Sequence, residues 1–121
     1  MPDKLSLPDE SGPYDATLSI GRFPFDWELW DYAPAAGGWA KTRLASGSNA
    51  ARVRLPNAGK ADLVGHALMW AVTLVNLDER ARTTEIAVAL IKDGKPPSEL
   101  KLVFEAVPER PYLFVTVEVA A

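Results

Sequence analysis

The segment FPFDWELWDYAPAAGGW, residues 23–39, holds six of the chain's eleven aromatic residues within seventeen positions. Within it, apolar and acidic side chains alternate strictly over residues 25–29, which is the two-residue period of a β-strand with one buried face. Continued alternation places Trp30 and Tyr32 on the acidic face, unless a bulge returns one of them to the interior. The segment therefore predicts a strand whose outer face combines aromatic rings with carboxylates.

The same two-residue period recurs along the chain, and clusters of Gly, Pro, Asn, Asp and Ser interrupt it at intervals of about ten residues. Regularly spaced short strands of this kind are typical of antiparallel all-β domains. We therefore expect an antiparallel two-sheet β-sandwich of jelly-roll or immunoglobulin-like type with about eight strands. The predicted strands are 14–20, 25–32, 39–44, 51–55, 63–77, 85–91, 100–107 and 112–119.

One of these segments, residues 63–77, has a mixed composition. Its Ala, Leu and Met residues tolerate a helix, whereas its Val, Trp and Thr residues favour a strand buried on both faces. We favour a strand with a bend or bulge near Gly65, because fifteen residues exceed the usual strand length of about five or six. The alternative is an α+β fold with one helix within residues 61–77.

The chain length of 121 residues suits a single domain with one core. The first thirteen residues are mostly polar and contain three prolines, which lack a backbone donor and offer little apolar surface to bury. We therefore expect a flexible arm at residues 1–13 and a single β-sandwich domain at residues 14–121. Such an arm would cap a sheet edge or reach into a neighbouring subunit.

Basic side chains alternate on two of the predicted strands. The turn-like segment 45–49 separates Lys41 and Arg43 on the third strand from Arg52 and Arg54 on the fourth. If these strands pair as a hairpin, their four basic residues form one surface, which the neighbouring acidic strand would neutralise by cross-strand pairs.

Composition excludes several functional classes. A formal net charge of −3 argues against a nucleic-acid partner, which normally requires a basic surface. The absence of cysteine excludes disulfides and thiolate catalysis. We find neither a signal peptide nor an apolar segment long enough to span a bilayer. We therefore expect a soluble protein without a membrane partner, and cytoplasmic by default.

No reactive centre is apparent either. His66 is the only histidine and lies in an apolar run, where a histidine more often serves packing than catalysis. Nucleophile elbows, phosphate-binding glycine loops and metal-ligand motifs do not occur. We therefore expect no enzyme, no metal and no cofactor. The placement of His66 in an open cleft beside carboxylates or hydroxyls would favour an enzyme instead.

Binding is the remaining function class, and the aromatic segment is its candidate site. Most of its rings are expected to fill the core, with Phe25 and Trp27 inward and Trp39 closing one end. We predict a non-catalytic module that self-associates as a homo-oligomer or docks to a protein partner through an aromatic-rich sheet face or edge. The alternative is a carbohydrate-binding, lectin-like module in which rings stack on a glycan. The candidate ligand-binding residues are Asp26, Glu28, Trp30, Asp31, Tyr32 and Trp39.

Overall fold

The protein is a β-sandwich, as its sequence predicts. The computed structural model describes residues 3–21, 23–56, 59–75, 82–107 and 109–120. Within these ranges, a sheet of five strands packs against a sheet of four. The strands are β1 (Asp3–Ser6), β2 (Asp15–Ile20), β3 (Phe25–Ala35), β4 (Gly38–Ser48), β5 (Ala51–Arg54), β6 (Ala67–Leu74), β7 (Arg82–Ile91), β8 (Ser98–Ala106) and β9 (Tyr112–Ala120).

In both sheets, strands that are far apart in the sequence lie next to each other. The first sheet has the order β1-β9-β6-β3-β4, and the second sheet has the order β5-β2-β7-β8. All neighbouring strands are antiparallel except β1 and β9, which are parallel. As a result, the aromatic strand β3 lies in the interior of the first sheet, between β6 and β4.

The core lies between the two sheets and is built from the apolar side of each alternating strand. Phe25 and Trp27 point inward and are buried, as predicted. The ring of Trp27 meets that of Trp70 edge to face, with centroids 5.5 Å apart. The largest side chains that are almost fully buried are Trp70, Tyr14, Leu29, Leu63, Leu68, Ile86 and Leu90.

The amino-terminal segment differs from the expected flexible arm. Strand β1 pairs with β9 along one edge of the first sheet, and Leu5 and Leu7 are buried in the core. The Lys92 ammonium lies 2.7 Å from the Asp9 carboxylate, and the Tyr14 hydroxyl donates to the Asp9 carbonyl at 2.7 Å. Residues 3–13 are therefore part of the domain and supply its ninth strand.

The mixed segment at residues 63–77 forms strand β6 only from Ala67 onward. Gly65 has a φ of +90°, which an L residue rarely adopts, and it turns the chain into β6. The strand is therefore confirmed over Ala67–Leu74, and the irregularity expected near Gly65 is a turn that precedes it. The alternative helix within residues 61–77 does not form: the described residues of that range contain, as helical structure, only the end of a 3₁₀ turn, Lys60–Asp62, and no α-helix. Asn76 and Leu77 lie outside the described residues.

The predicted hairpin between the third and fourth predicted strands, residues 39–44 and 51–55, is wrong. Strand β4 pairs with β3 in the first sheet, whereas β5 pairs with β2 in the second sheet. The segment predicted as a turn is largely strand, because β4 continues to Ser48, and the chain changes sheet after it at Asn49, whose φ is +61°. The four basic residues therefore lie on two different outer faces.

Candidate functional site

The outer face of the first sheet carries an open groove of about 540 Å³, which we call the outer groove. It runs along β6, where Ala71 and Thr73 form its floor. Alternation puts these two residues on the solvent side, because Val72 between them is buried in the core. Because the Ala71 side chain is small, it projects little from the outer face of β6. The larger side chains of the neighbouring strands project further and form two walls.

One wall is aromatic. Tyr112 and Phe114 of β9 line the outer groove and are 66% and 68% exposed. They face solvent because residues 113, 115, 117 and 119 occupy the inward positions of the same strand. Exposed aromatic rings that lie side by side are uncommon on a protein surface with no binding role. This wall therefore makes the outer groove the candidate binding site.

The opposite wall is acidic and contains two of the predicted site residues, Asp26 and Glu28. The Glu28 carboxylate accepts a hydrogen bond from Trp30 Nε1 at 3.3 Å and lies 3.8 Å from Arg43 Nη1. Asp26 accepts a hydrogen bond from Ser48 Oγ at 2.6 Å. Among the residues that the structure describes, no basic side chain pairs with Asp26, so its charge is available to a ligand.

Strand register sets the width of the outer groove. Phe114 lies opposite Ala71, and Ala71 lies opposite Glu28. Two strand spacings of about 4.8 Å therefore separate the aromatic wall from the acidic wall, or about 10 Å between backbones. This distance fits one extended peptide or one sugar ring lying along β6.

The three predicted aromatic site residues share this face but lie along it, beyond the outer groove. Trp30 and Tyr32 are half-buried, and the Tyr32 hydroxyl contacts Met69 Sδ at 3.9 Å. The Lys41 ammonium lies 5.8 Å from the centroid of the Tyr32 ring. Trp39 is 52% exposed and follows the β3–β4 turn, so it does not close one end of the core.

Asp31 is the one predicted site residue that does not lie on the outer face. Its carboxylate points to the inner side of β3 and lies 2.9 Å from His66 Nδ1. The two side chains are only 12% and 16% exposed. Asp31 and His66 therefore form a largely buried pair within the sandwich, on the other side of the sheet from the outer groove.

Sequence reasoning missed the aromatic wall, although its signal was present. In the last predicted strand, residues 113, 115, 117 and 119 are apolar with a two-residue period, and this alternation assigns Tyr112 and Phe114 to the opposite face. Ser46 and Ser48 were missed for another reason, since their segment has the composition of a turn. Only pairing with β3 makes it a strand and brings its two serines to the acidic wall.

On the outer face of the second sheet, the aspartate of β2 is paired with two arginines. There, Arg52 Nε and Arg54 Nε donate to the Asp15 carboxylate at 2.7 and 2.5 Å. The hydrogen bond from Arg54 is the main cause that lowers the pKa of Asp15 below its ordinary value. Burial opposes this effect, and the hydrogen bond from Arg52 adds to it. The charge of Asp15 is thus neutralised within the protein.

No protein-family model, curated protein or solved structure gives a significant match to this chain. In the described ranges, no group of three or more acidic, histidine or cysteine side chains is arranged to hold a metal ion. Those ranges also contain no helix with the length and apolarity needed to cross a bilayer. The function must therefore be argued from the outer groove itself.

Proposed function

We propose that the protein is a non-catalytic interaction module that binds an extended segment of a protein partner in the outer groove. The bound segment carries a basic side chain beside an apolar one. The observation that carries this proposal is the pairing of an exposed aromatic wall with a carboxylate that lacks a basic partner among the described residues. Each wall supplies a different part of the recognition.

The aromatic wall supplies contact area. Tyr112 and Phe114 are about two-thirds exposed, so a partner that covers them removes a large apolar surface from water. Aromatic side chains are also enriched among the residues that contribute most to protein–protein affinity. Their ring faces attract the guanidinium or ammonium group of a basic residue. This wall therefore favours an apolar or cationic side chain.

The acidic wall selects the charge of that side chain. Among the described residues, the Asp26 carboxylate has only the Ser48 hydroxyl as a hydrogen-bond partner, and Glu28 has one exposed arginine at 3.8 Å. A basic group placed between the walls pairs with Asp26 without displacing an existing ion pair. The net charge of −3 also favours the approach of a basic partner over an acidic one.

The walls are rigid, which lowers the entropic cost of binding. Strand β9 is held between β1 and β6, and β3 is held between β6 and β4. Both walls thus project from strands that are hydrogen-bonded on two sides, rather than from loops. A partner meets a surface that is already shaped, and little backbone order is lost on binding.

The test is a titration of extended peptides that carry Lys or Arg beside Phe or Leu, followed by calorimetry. The matched peptides have Glu in place of each basic residue. We expect the basic peptides to bind, and Phe114→Ala or Asp26→Asn to weaken binding about tenfold or more, the loss typical of a residue central to an interface. Glu99→Gln, which changes an exposed carboxylate of the other sheet, is the control and should bind as the unaltered protein does.

Equal binding of the acidic peptides, or equal affinity of Phe114→Ala and the unaltered protein, would contradict the proposal. Salt gives a further check, because pairing with exposed carboxylates weakens as ionic strength rises. We expect the affinity for basic peptides to fall between 50 mM and about 500 mM salt, where the Debye length becomes much shorter.

Carbohydrate binding is the second candidate, and one observation favours it. Tyr112 faces the Asp26–Ser48 pair across Thr73, and Phe114 faces Glu28 across the small Ala71. A sugar ring can stack on an aromatic face while its hydroxyls bond to carboxylates and serines. A glycan array tests this candidate directly. A glycan that binds with an affinity insensitive to salt and lost in Phe114→Ala would favour the lectin-like function over peptide recognition.

A further inference from the structure

The edge of the second sheet at β8 is open. In the described parts of the chain, β8 pairs with β7 on one side and with no strand on the other. Its nine residues therefore present a row of backbone donors and acceptors along that edge. An exposed edge of this length is a template for adding another strand, and natural proteins usually block such an edge or use it.

The apolar side of β8 is also incompletely covered. Leu100, Leu102 and Phe104 point toward the first sheet but are only half-buried. Strand β1, which packs opposite β8, has just four residues and is too short to cover the nine residues of β8. On the solvent side of the same strand, Val103 is 68% exposed. A further strand beside β8 would cover apolar surface on both faces of the sheet.

The charges along β8 favour a second copy of the same strand. In an antiparallel pair centred on Val103, Lys101 of each copy lies opposite Glu105 of the other, by residue counting in the sequence. The two-fold symmetry makes this complementary pair twice. On the inner face, the same register places Leu102 opposite Phe104 of the second copy, again twice. Charge and apolar pattern therefore both fit this register.

The other edge strands do not share this property. Strand β4 carries Lys41 and Arg43, and β5 carries Arg52 and Arg54. Antiparallel self-pairing of either strand about its central residues brings like charges together, which is destabilising. Strand β1 is only four residues long. Within the described ranges, β8 is thus the edge whose sequence complements itself.

We propose that β8 is a self-association edge, through which two copies of the chain form a symmetric dimer with one continuous eight-stranded sheet. The contact consists of antiparallel β8 strands centred on Val103. It lies on the second sheet, apart from the outer groove on the first, so either proposal can fail without the other.

Charge reversal tests the proposed register. Sedimentation velocity over a range of protein concentrations measures the dimer constant of four proteins: the unaltered protein, Lys101→Glu, Glu105→Lys and the double variant with both changes. Each single change places like charges opposite each other twice, whereas the double variant restores both complementary pairs. We expect each single change to weaken association about tenfold or more, and the double variant to recover most of it.

A matched control is Lys41→Glu, which reverses an exposed lysine on the β4 edge of the other sheet and should leave the dimer constant unchanged. Thermal unfolding verifies that each variant is folded, since Lys101 also lies 3.7 Å from Glu99 on its own strand. A monomer at every soluble concentration would overturn the proposal. A dimer that tolerates both single changes, or a double variant that remains as weak as the single ones, would overturn it equally.

Discussion

Each outer face of the sandwich carries an aspartate, and the two aspartates differ in their hydrogen-bond partners. Asp15 on the second sheet receives hydrogen bonds from two arginines of β5. Asp26 on the first sheet lies opposite Ser48 of β4, which donates a hydrogen bond to its carboxylate. Among the described residues, Asp26 has no basic partner. Both aspartates alternate with apolar residues along their strands. The strand that pairs with each one decides whether its charge stabilises the protein or is available to a ligand.

The largest expected effect on stability comes from removing the charge of Asp15, and the same change at Asp26 provides the comparison. Asp15→Asn should lower the free energy of unfolding by about 2 kcal/mol, because two charge-assisted hydrogen bonds weaken together. Asp26→Asn should change it by less than about 0.5 kcal/mol, since an exposed carboxylate with one hydroxyl partner contributes little. Urea denaturation at pH 7 measures both values. Similar losses in the two variants would contradict the contrast between the faces.

A second prediction concerns the glycine beneath the acidic wall. A Cβ atom at Gly47 would lie 2.8 Å from Cζ2 of the buried Trp27 ring. We expect Gly47→Ala to cost about 1–2 kcal/mol, because the ring has to shift within a packed core. Gly21→Ala is the control, since its Cβ atom would meet Thr84 Oγ1 at an ordinary 3.6 Å. If thermal unfolding shows equal stability for the two variants, Trp27 does not constrain β4 as the structure indicates.

The third prediction is the dependence of stability on pH. The arginine hydrogen bonds lower the pKa of Asp15 in the folded protein below its value of about 3.9 in an unfolded chain. Asp15 therefore contributes its full stabilisation above that value, and the contribution is lost as the pH falls below it. The difference in unfolding free energy between the unaltered protein and Asp15→Asn should narrow between pH 5 and about pH 2. A constant difference across this range would be the contrary result.

The smallest effect on stability is expected at the aromatic wall. The double variant Tyr112→Ala, Phe114→Ala should keep its unfolding free energy within about 0.5 kcal/mol, because both rings are mostly exposed. Its peptide affinity should nevertheless fall if the wall binds a partner. Denaturation and calorimetry on the same preparation separate the two properties. A large loss of stability would mean that these rings support the fold rather than recognition.

The β-sandwich was readable from the sequence because burial on one face imposes a two-residue period on each strand. Residues 113, 115, 117 and 119 show this period clearly, and all of them point toward the core. The irregularity near Gly65 was readable for a similar local reason, since glycine is the residue that adopts a positive φ at little cost. The strand at Asp3–Ser6 was not readable, because its polar composition indicates a terminus. Its pairing with β9 and the burial of Leu5 hold it in place.

The candidate site was predictable only in part. Alternation correctly put Asp26, Glu28, Trp30 and Tyr32 on one face of β3, and it also implied that Asp31 points the other way. The aromatic wall could have been found from the period of β9, but its position across from Asp26 could not. That relation depends on β6 lying between the two strands, and the residues of β6 come from a separate part of the chain.

By itself, the sequence determined which residues face the core and which face solvent along each strand, since this follows from local alternation. It also determined the absence of cysteine chemistry and the acidic net charge. Only the tertiary structure decided which strands are neighbours. It separated the four basic residues onto two faces, brought two arginines to Asp15, and set an aromatic wall opposite Asp26. Pairing between distant strands is a property of the whole core, and no local pattern encodes it.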